Sequence, residues 1–106
     1  MDTNTKTIKK CVKAFSQAVQ KNISVQKIML FGSYARGTQK PESDVDILVV
    51  SKDFENIKPF KRAVPLYRYW KPLVPIDIIC YTPEEFERLA KRITIAREAQ
   101  REGIEI

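Results

Sequence analysis

The sequence predicts a mixed α/β (α+β) fold, a small mixed β-sheet flanked by helices packed mostly on one face. Three observations predict it. Apolar residues recur at helical spacing over residues 5–21, three short apolar runs follow at 25–31, 44–51 and 76–80, and Thr82-Pro83 opens a further helix. With 106 residues, the chain is expected to form a single domain spanning 1–106.

Each element has a local cause. Ile8, Cys11, Val12, Phe15, Ala18 and Val19 line one side of the first helix. The run 25–31 is β-rich and stops at Gly32, after which Ser33 suits the start of a short helix that Gly37 ends. Residues 38–43, with Pro41, read as a loop. In the second strand, 44–51, side chains alternate. Val45, Ile47 and Val49 share one face, and Asp44, Asp46, Leu48 and Val50 the other. Pro59 opens a helix toward Trp70 that Pro65 interrupts. Pro72 and Pro75 bracket a boundary before the third strand, 76–80. Thr82 supplies a capping hydroxyl, Pro83 the first helical position, and Glu84 and Glu85 the acids of the first turn. Helical pattern resumes near Ile93, runs to about Glu102 and stops at Gly103; residues 104–106 form a short edge strand.

Composition removes several chemistries. There is no histidine, so imidazole serves neither as base, metal ligand nor phosphoryl acceptor. Acid–base work falls to carboxylates, Lys, Tyr or a metal-bound water. Cys11 and Cys80 are far apart and make no metal-ligand pattern, which fits reduced thiols in a core. The start of the chain lacks the apolar stretch of a signal peptide, and no run approaches the roughly 20 apolar residues of a membrane span, so a cytoplasmic protein is expected. Net charge is +6, suiting polyanionic ligands or an acidic protein surface. The basic residues are spread out: Lys58, Lys61, Arg62, Arg68 and Lys71 mid-chain, Arg88, Lys91, Arg92, Arg97 and Arg101 near the end. That spread reads as a solvated surface on helices more than a nucleic-acid track.

One stretch carries chemistry. A Gly32-Ser33 turn follows the apolar 28–31 run, and Asp44 and Asp46 open the next one, on the same strand face. A turn that can hold phosphate beside a carboxylate pair that can hold magnesium suits phosphoryl or nucleotidyl transfer. Ser33 and nearby amides are candidates for the β- and γ-phosphates. Gly32 serves as a turn residue of positive φ, as a site of close phosphate approach, or as both. Arg36 either neutralises phosphate charge or pairs with an acid to brace the loop. Ser43 is a nucleotide-site candidate that also reads as the cap of the turn before Asp44. Asp77 is the one charge in its apolar strand; it is either a solvent-facing edge residue or the third carboxylate of a metal site. In that second reading Asp44 and Asp46 bridge two magnesium ions about 3.5–4 Å apart, and Asp77 completes the ion that holds the acceptor hydroxyl and takes its proton. The run Tyr67-Arg68-Tyr69-Trp70 offers an aromatic face for a base or partner, or belongs to core and rim.

Gly32-Ser33-x-Ala35-Arg36-Gly37, then Ser43-Asp44-x-Asp46, then Asp77 on a later strand, resembles the polymerase-beta-like nucleotidyltransferase superfamily. The small size and close loop match resemble its minimal nucleotidyltransferase (MNT) branch. That resemblance implies a central sheet, ATP or another NTP with Mg2+, and release of pyrophosphate. Carried over by residue, Ser33 contacts phosphates and Asp44, Asp46 and Asp77 form the catalytic metal triad. Many members of the branch are antitoxins encoded beside a HEPN-domain ribonuclease toxin, and transfer AMP from ATP to a toxin tyrosine. The chain keeps all three carboxylates, and the extra domain by which larger relatives bind antibiotics, tRNA or primer DNA is not expected of it. A separate protein supplying the acceptor is therefore expected, a HEPN-domain toxin foremost. Two alternatives stand beside it: an antitoxin acting by masking alone, and a small-molecule nucleotidyltransferase of the antibiotic-modifying kind.

Overall fold

A computed structural model describes residues 5–92 and 94–106. Helix α1 (Thr5–Gln20) is followed by strand β1 (Lys27–Phe31), helix α2 (Ser33–Arg36) and strand β2 (Val45–Val50). Helix α3 (Pro59–Arg62) runs into a 3-10 segment, Val64–Tyr69; strand β3 (Ile76–Tyr81), helices α4 (Pro83–Leu89) and α5 (Ile95–Glu102) and strand β4 (Ile104–Glu105) complete the order. The sheet order is β3-β2-β1-β4, with β2 and β3 parallel and the other pairs antiparallel, so the sheet is mixed as expected.

The alternation in β2 divides the core. Val45, Ile47 and Val49 pack with Ile8, Val12, Phe15 and Val19 of α1, and with Leu66 of the 3-10 segment. Each of those α1 side chains is essentially fully buried, a contribution of about 1.5–3 kcal/mol apiece. Leu48 and Val50 face the other way, against Phe86 of α4 and Ala96 and Ala99 of α5. Helices therefore cover both faces. The expectation of one dominant helical face underweighted Ala96 and Ala99, whose small side chains let α5 approach the sheet closely.

Boundaries moved where the backbone had better partners. Gln26 donates its amide to Val50 O at 2.9 Å, yet the β1–β2 pairing begins only at Lys27. The helix expected from Pro59 ends at Arg62, because Pro65 has no amide to give the α-helical ladder. The chain tightens instead, with Leu66 N–H donating to Ala63 O at 2.9 Å. The helix expected to resume near Ile93 starts at Ile95, capped by Thr94, whose hydroxyl accepts from Arg97 N–H; Ile93 itself lies outside the described residues. At Thr82 the expected cap is a complete capping box with Glu85. Cys80 is buried and Cys11 half-buried, and both are free thiols. Burial pushes the Cys80 thiol up to about 12, which leaves it unreactive.

Arg62 departs from the solvated-surface reading of the basic residues. It is 6% exposed. Its Nη1 donates to Glu85 Oε1 at 2.6 Å and its Nη2 to Glu85 Oε2 at 3.3 Å, a forked pair joining α3 to α4. Its Nε donates to Ile57 O at 2.8 Å and Nη1 also to Cys80 O at 3.3 Å. The same guanidinium holds the Glu85 carboxyl below its ordinary value, so this stability is present above the normal carboxylate range and is lost as pH falls through the depressed pKa. Arg62→Ala is expected to cost about 3 kcal/mol, because it removes the guanidinium from the Glu85 carboxylate, which keeps the Thr82 amide, and from two carbonyls. Chemical denaturation at pH 7 measures it; a loss below about 0.5 kcal/mol would show that the pair is merely superficial.

Candidate active site

The register of the sheet assembles the site. Asp46 lies opposite Phe31 of β1 on one side and opposite Asp77 of β3 on the other. Cross-strand partners project to the same face, about 5 Å apart, so Asp46 and Asp77 leave the sheet together. Asp44, two residues before Asp46, shares that face just ahead of the strand. Asp44 and Asp77 are exposed and Asp46 half-buried, so the three form an open carboxylate cleft at one end of β2 and β3.

Gly32 closes the cleft from the β1 side. Its φ of 72° and ψ of −153° are denied to ordinary L-residues. A Cβ built there would stand 2.2 Å from Asp46 Oδ2, inside any tolerable contact. Both reasons for glycine thus hold: the turn needs its backbone, and the Asp46 carboxylate fills the space a side chain would take. Ser33 begins α2, and Ala35 and Arg36 amides donate back to Gly32 O at 3.1 and 3.2 Å. Helical geometry leaves the Ser33 and Tyr34 amides without an intrahelical acceptor beside the cleft. Gly37, left-handed at φ 74°, ends the helix as expected.

Electrostatics single out Asp46. Burial pushes its carboxyl up to about 6, with the charges of Asp77, Asp44 and Glu98 adding to the rise and Arg36 opposing it. Acidic neighbours whose charges raise the Asp46 carboxyl form a site that favours a cation. The donor set consists of carboxylate oxygens, hard ligands of the kind that magnesium takes. Among the described residues, no group of three such side chains is yet gathered closely enough to hold an ion as it stands.

Arg36 and Ser43 have partners within the fold. Arg36 Nη1 reaches Glu98 Oε1 at 3.2 Å and Glu102 Oε2 at 3.3 Å, tying α2 to α5, which is the bracing alternative. All three side chains remain exposed, so the guanidinium is held loosely. Ser43 Oγ accepts from Lys40 N–H at 2.8 Å and Ser43 N–H donates to Lys40 O at 2.9 Å, which caps the turn that delivers Asp44. Sequence reasoning missed Glu98, whose charge reaches Asp46 from α5 across 52 positions; no local pattern marks it. It also missed Tyr34, fully buried with a hydroxyl that has no hydrogen-bond partner among the described residues and a pKa raised by burial and by Asp44. A surface depression of about 370 Å³, lined by Thr94, Arg97, Glu98, Arg101 and Glu102, adjoins the Arg36 pairing.

The chain matches the nucleotidyltransferase domain family model over residues 8–102. It is 35% identical over 71 residues to the protein adenylyltransferase MntA of Thermococcus cleftensis, covering 67% of this chain and 69% of that one. A Methanocaldococcus jannaschii protein, named as a candidate protein adenylyltransferase, is 45% identical over 71 residues, covering 67% of this chain and 79% of its own. A crystal structure of a nucleotidyltransferase-like protein from Sulfolobus solfataricus shares the fold, with TM-score 0.66 and 24% identity over 91% of this chain and 76% of that one. A toxin–antitoxin crystal structure with AMP-PNP matches with TM-score 0.57 and 25% identity, covering 88% of this chain and 69% of that one.

Proposed function

This chain belongs to the nucleotidyltransferase domain family, and from that membership we propose that it transfers AMP from ATP to a tyrosine hydroxyl of a HEPN-domain toxin, with magnesium, as a cytoplasmic antitoxin. The observation that carries the reading is Asp46, held between the Gly32 turn and Asp77 with its carboxyl raised by its acidic neighbours. The relatives named protein adenylyltransferase and the toxin–antitoxin structure containing AMP-PNP, an ATP analogue, support the same chemistry. No described helix is long and apolar enough to cross a membrane.

In this reading Asp44, Asp46 and Asp77 are the residues that would hold magnesium. When bound, magnesium neutralises phosphate charge and the charge that develops on the departing pyrophosphate. Ser33 and the first amides of α2 orient the β- and γ-phosphates, and Gly32 lets them approach the backbone. The acceptor oxygen forms its bond to the α-phosphorus as the bond from that phosphorus to the β-phosphate oxygen breaks. Pyrophosphate leaves with that electron pair, and the hydroxyl proton passes to Asp77. Ser43 holds the turn before Asp44, and the Arg36 guanidinium exchanges Glu98 and Glu102 for phosphate.

The test is direct. Wild-type protein incubated with the product of the neighbouring gene, expected to be a HEPN-domain toxin, ATP labelled at the α-phosphate and magnesium should place label on a tyrosine of that protein, with one AMP added in intact mass. Inhibition of the toxin by unlabelled complex, without any transfer, would support masking. Label on a small molecule, with the toxin unmodified, would support the antibiotic-modifying class.

A further inference from the structure

The outward face of α3 and the 3-10 segment has no role in the nucleotide chemistry, and it is unusually apolar. Phe60 is 72% exposed, Val64 67% and Leu73, in the loop leading to β3, 92%; Tyr67 is exposed as well. Residues 60, 64 and 67 recur at the spacing that aligns side chains on one side of a helical run. Arg62 and Leu66, offset by two positions, are the inward counterparts and are buried. The charges carried by this segment itself have one sign, although Asp53 shares a surface depression with Lys61 and Arg68. Residues 56–76 contain five basic residues and no acidic one. Glu85 takes Arg62, leaving Lys58, Lys61, Arg68 and Lys71 exposed around the apolar face.

This face ends at the catalytic strand. Ile78, the residue after Asp77, donates its amide to the Tyr67 hydroxyl at 3.4 Å. Strand β3 is an outer strand of the sheet, and the Tyr67 hydroxyl meets its open edge one residue beyond Asp77; Leu66 packs on the α1 side, and Asp77 leaves the opposite face. A partner seated on Phe60, Val64 and Tyr67 reaches the edge of the strand that carries Asp77.

We propose that the outward face of residues 58–73 is the docking surface for the acceptor protein, whose contacting patch is apolar and rimmed by acidic side chains. The proposal rests on the reading of the chain as a protein-modifying nucleotidyltransferase and names the surface that selects its substrate. Val64 and Leu73 are exposed aliphatic side chains, which the core of a protein interface uses and a nucleic-acid track does not require. The basic rim supplies steering and register, and the apolar centre supplies most of the affinity.

The variants are Phe60→Ser with Val64→Ser, and separately Lys58→Glu with Lys61→Glu. All four positions are exposed, so thermal stability and ATP affinity by calorimetry should match wild type. The probe is the purified product of the neighbouring gene, the expected toxin. The apolar pair of changes should weaken its binding by about 30-fold or more, raising the KM for toxin while kcat at saturating toxin stays within about threefold. The charge reversals should slow association and flatten its salt dependence. Toxin binding unchanged in both variants, with AMP transfer intact, would overturn this surface and leave the enzymatic reading standing. Wild type that binds the toxin through this face without modifying it would uphold the surface and remove the enzymatic reading. Loss of binding to a labelled RNA in the charge variant alone, with toxin binding untouched, would make the face a nucleic-acid site and overturn the proposal.

Discussion

Asp44→Asn combined with Asp46→Asn is expected to lower AMP transfer by about 10³-fold or more while the protein stays folded. The two changes keep side-chain shape and remove the oxygen charge that a divalent ion requires. Neither position belongs to the buried core: Asp44 is exposed and Asp46 half-buried. Fold retention has a further reason, because Asp46 opposes folding as long as it is charged. Its carboxyl titrates at about 6 in the folded chain against an ordinary value of 3.8, so the folded state holds the proton more tightly than the unfolded one. Stability is therefore lost as pH rises from about 4 through about 6, and above that the full cost of ionisation persists. Asp46→Asn removes that cost. In metal-free buffer at pH 8 the variant should be more stable than wild type by about 2 kcal/mol, discounted for its partial exposure, and the gain should vanish near pH 4. Thermal melts across that range, with ATP binding measured with and without magnesium, check both halves. A variant less stable at pH 8, or ATP binding that is metal-independent and unchanged by the double substitution, would remove the carboxylates from the centre of the site.

The parts of this architecture that were legible in sequence are the parts with local causes. The alternation in 44–51 placed Asp44 and Asp46 on one face because strand period is a property of the backbone alone. Thr82-Pro83-Glu84-Glu85 marked a helix start because every element of a capping box lies within four residues. The glycine at 32 announced a special backbone, but its second reason, the Asp46 carboxylate in the place of a Cβ, depends on a residue fourteen positions away. Arg62 was opaque for the same reason. Nothing near it in sequence distinguishes it from Lys61, and only the tertiary fold brings Glu85 and the Cys80 carbonyl to its guanidinium. Arg36 lay between these cases: both of its readings needed a partner, and the one visible in the fold comes from α5. The three carboxylates were named from a motif, whereas the parallel register that sets Asp77 beside Asp46 is information of the sheet.

Asp77→Asn is expected to cost turnover far more than nucleotide affinity, with kcat falling about 10³-fold and ATP affinity changing by less than about threefold. The reason lies in where Asp77 stands. Asp46 is flanked on its other side by the Gly32 turn and α2, the side proposed for the phosphates, whereas Asp77 occupies the outer strand, exposed, near the open sheet edge, the side proposed for the acceptor. A group that meets the acceptor hydroxyl contributes little until that hydroxyl begins to lose its proton, so its removal appears in the rate and scarcely in ground-state binding. The strand does not depend on the carboxylate, since Ile76, Ile78 and Cys80 carry its packing on the core side. Asn at this position should therefore leave the melting temperature at pH 8 unchanged or slightly raised, as like charge on Asp46 is relieved. Single-turnover transfer and equilibrium ATP titration on the same preparation separate the two quantities. Equal losses in both would move Asp77 to the nucleotide side of the cleft, and the proton of the acceptor would then need another base.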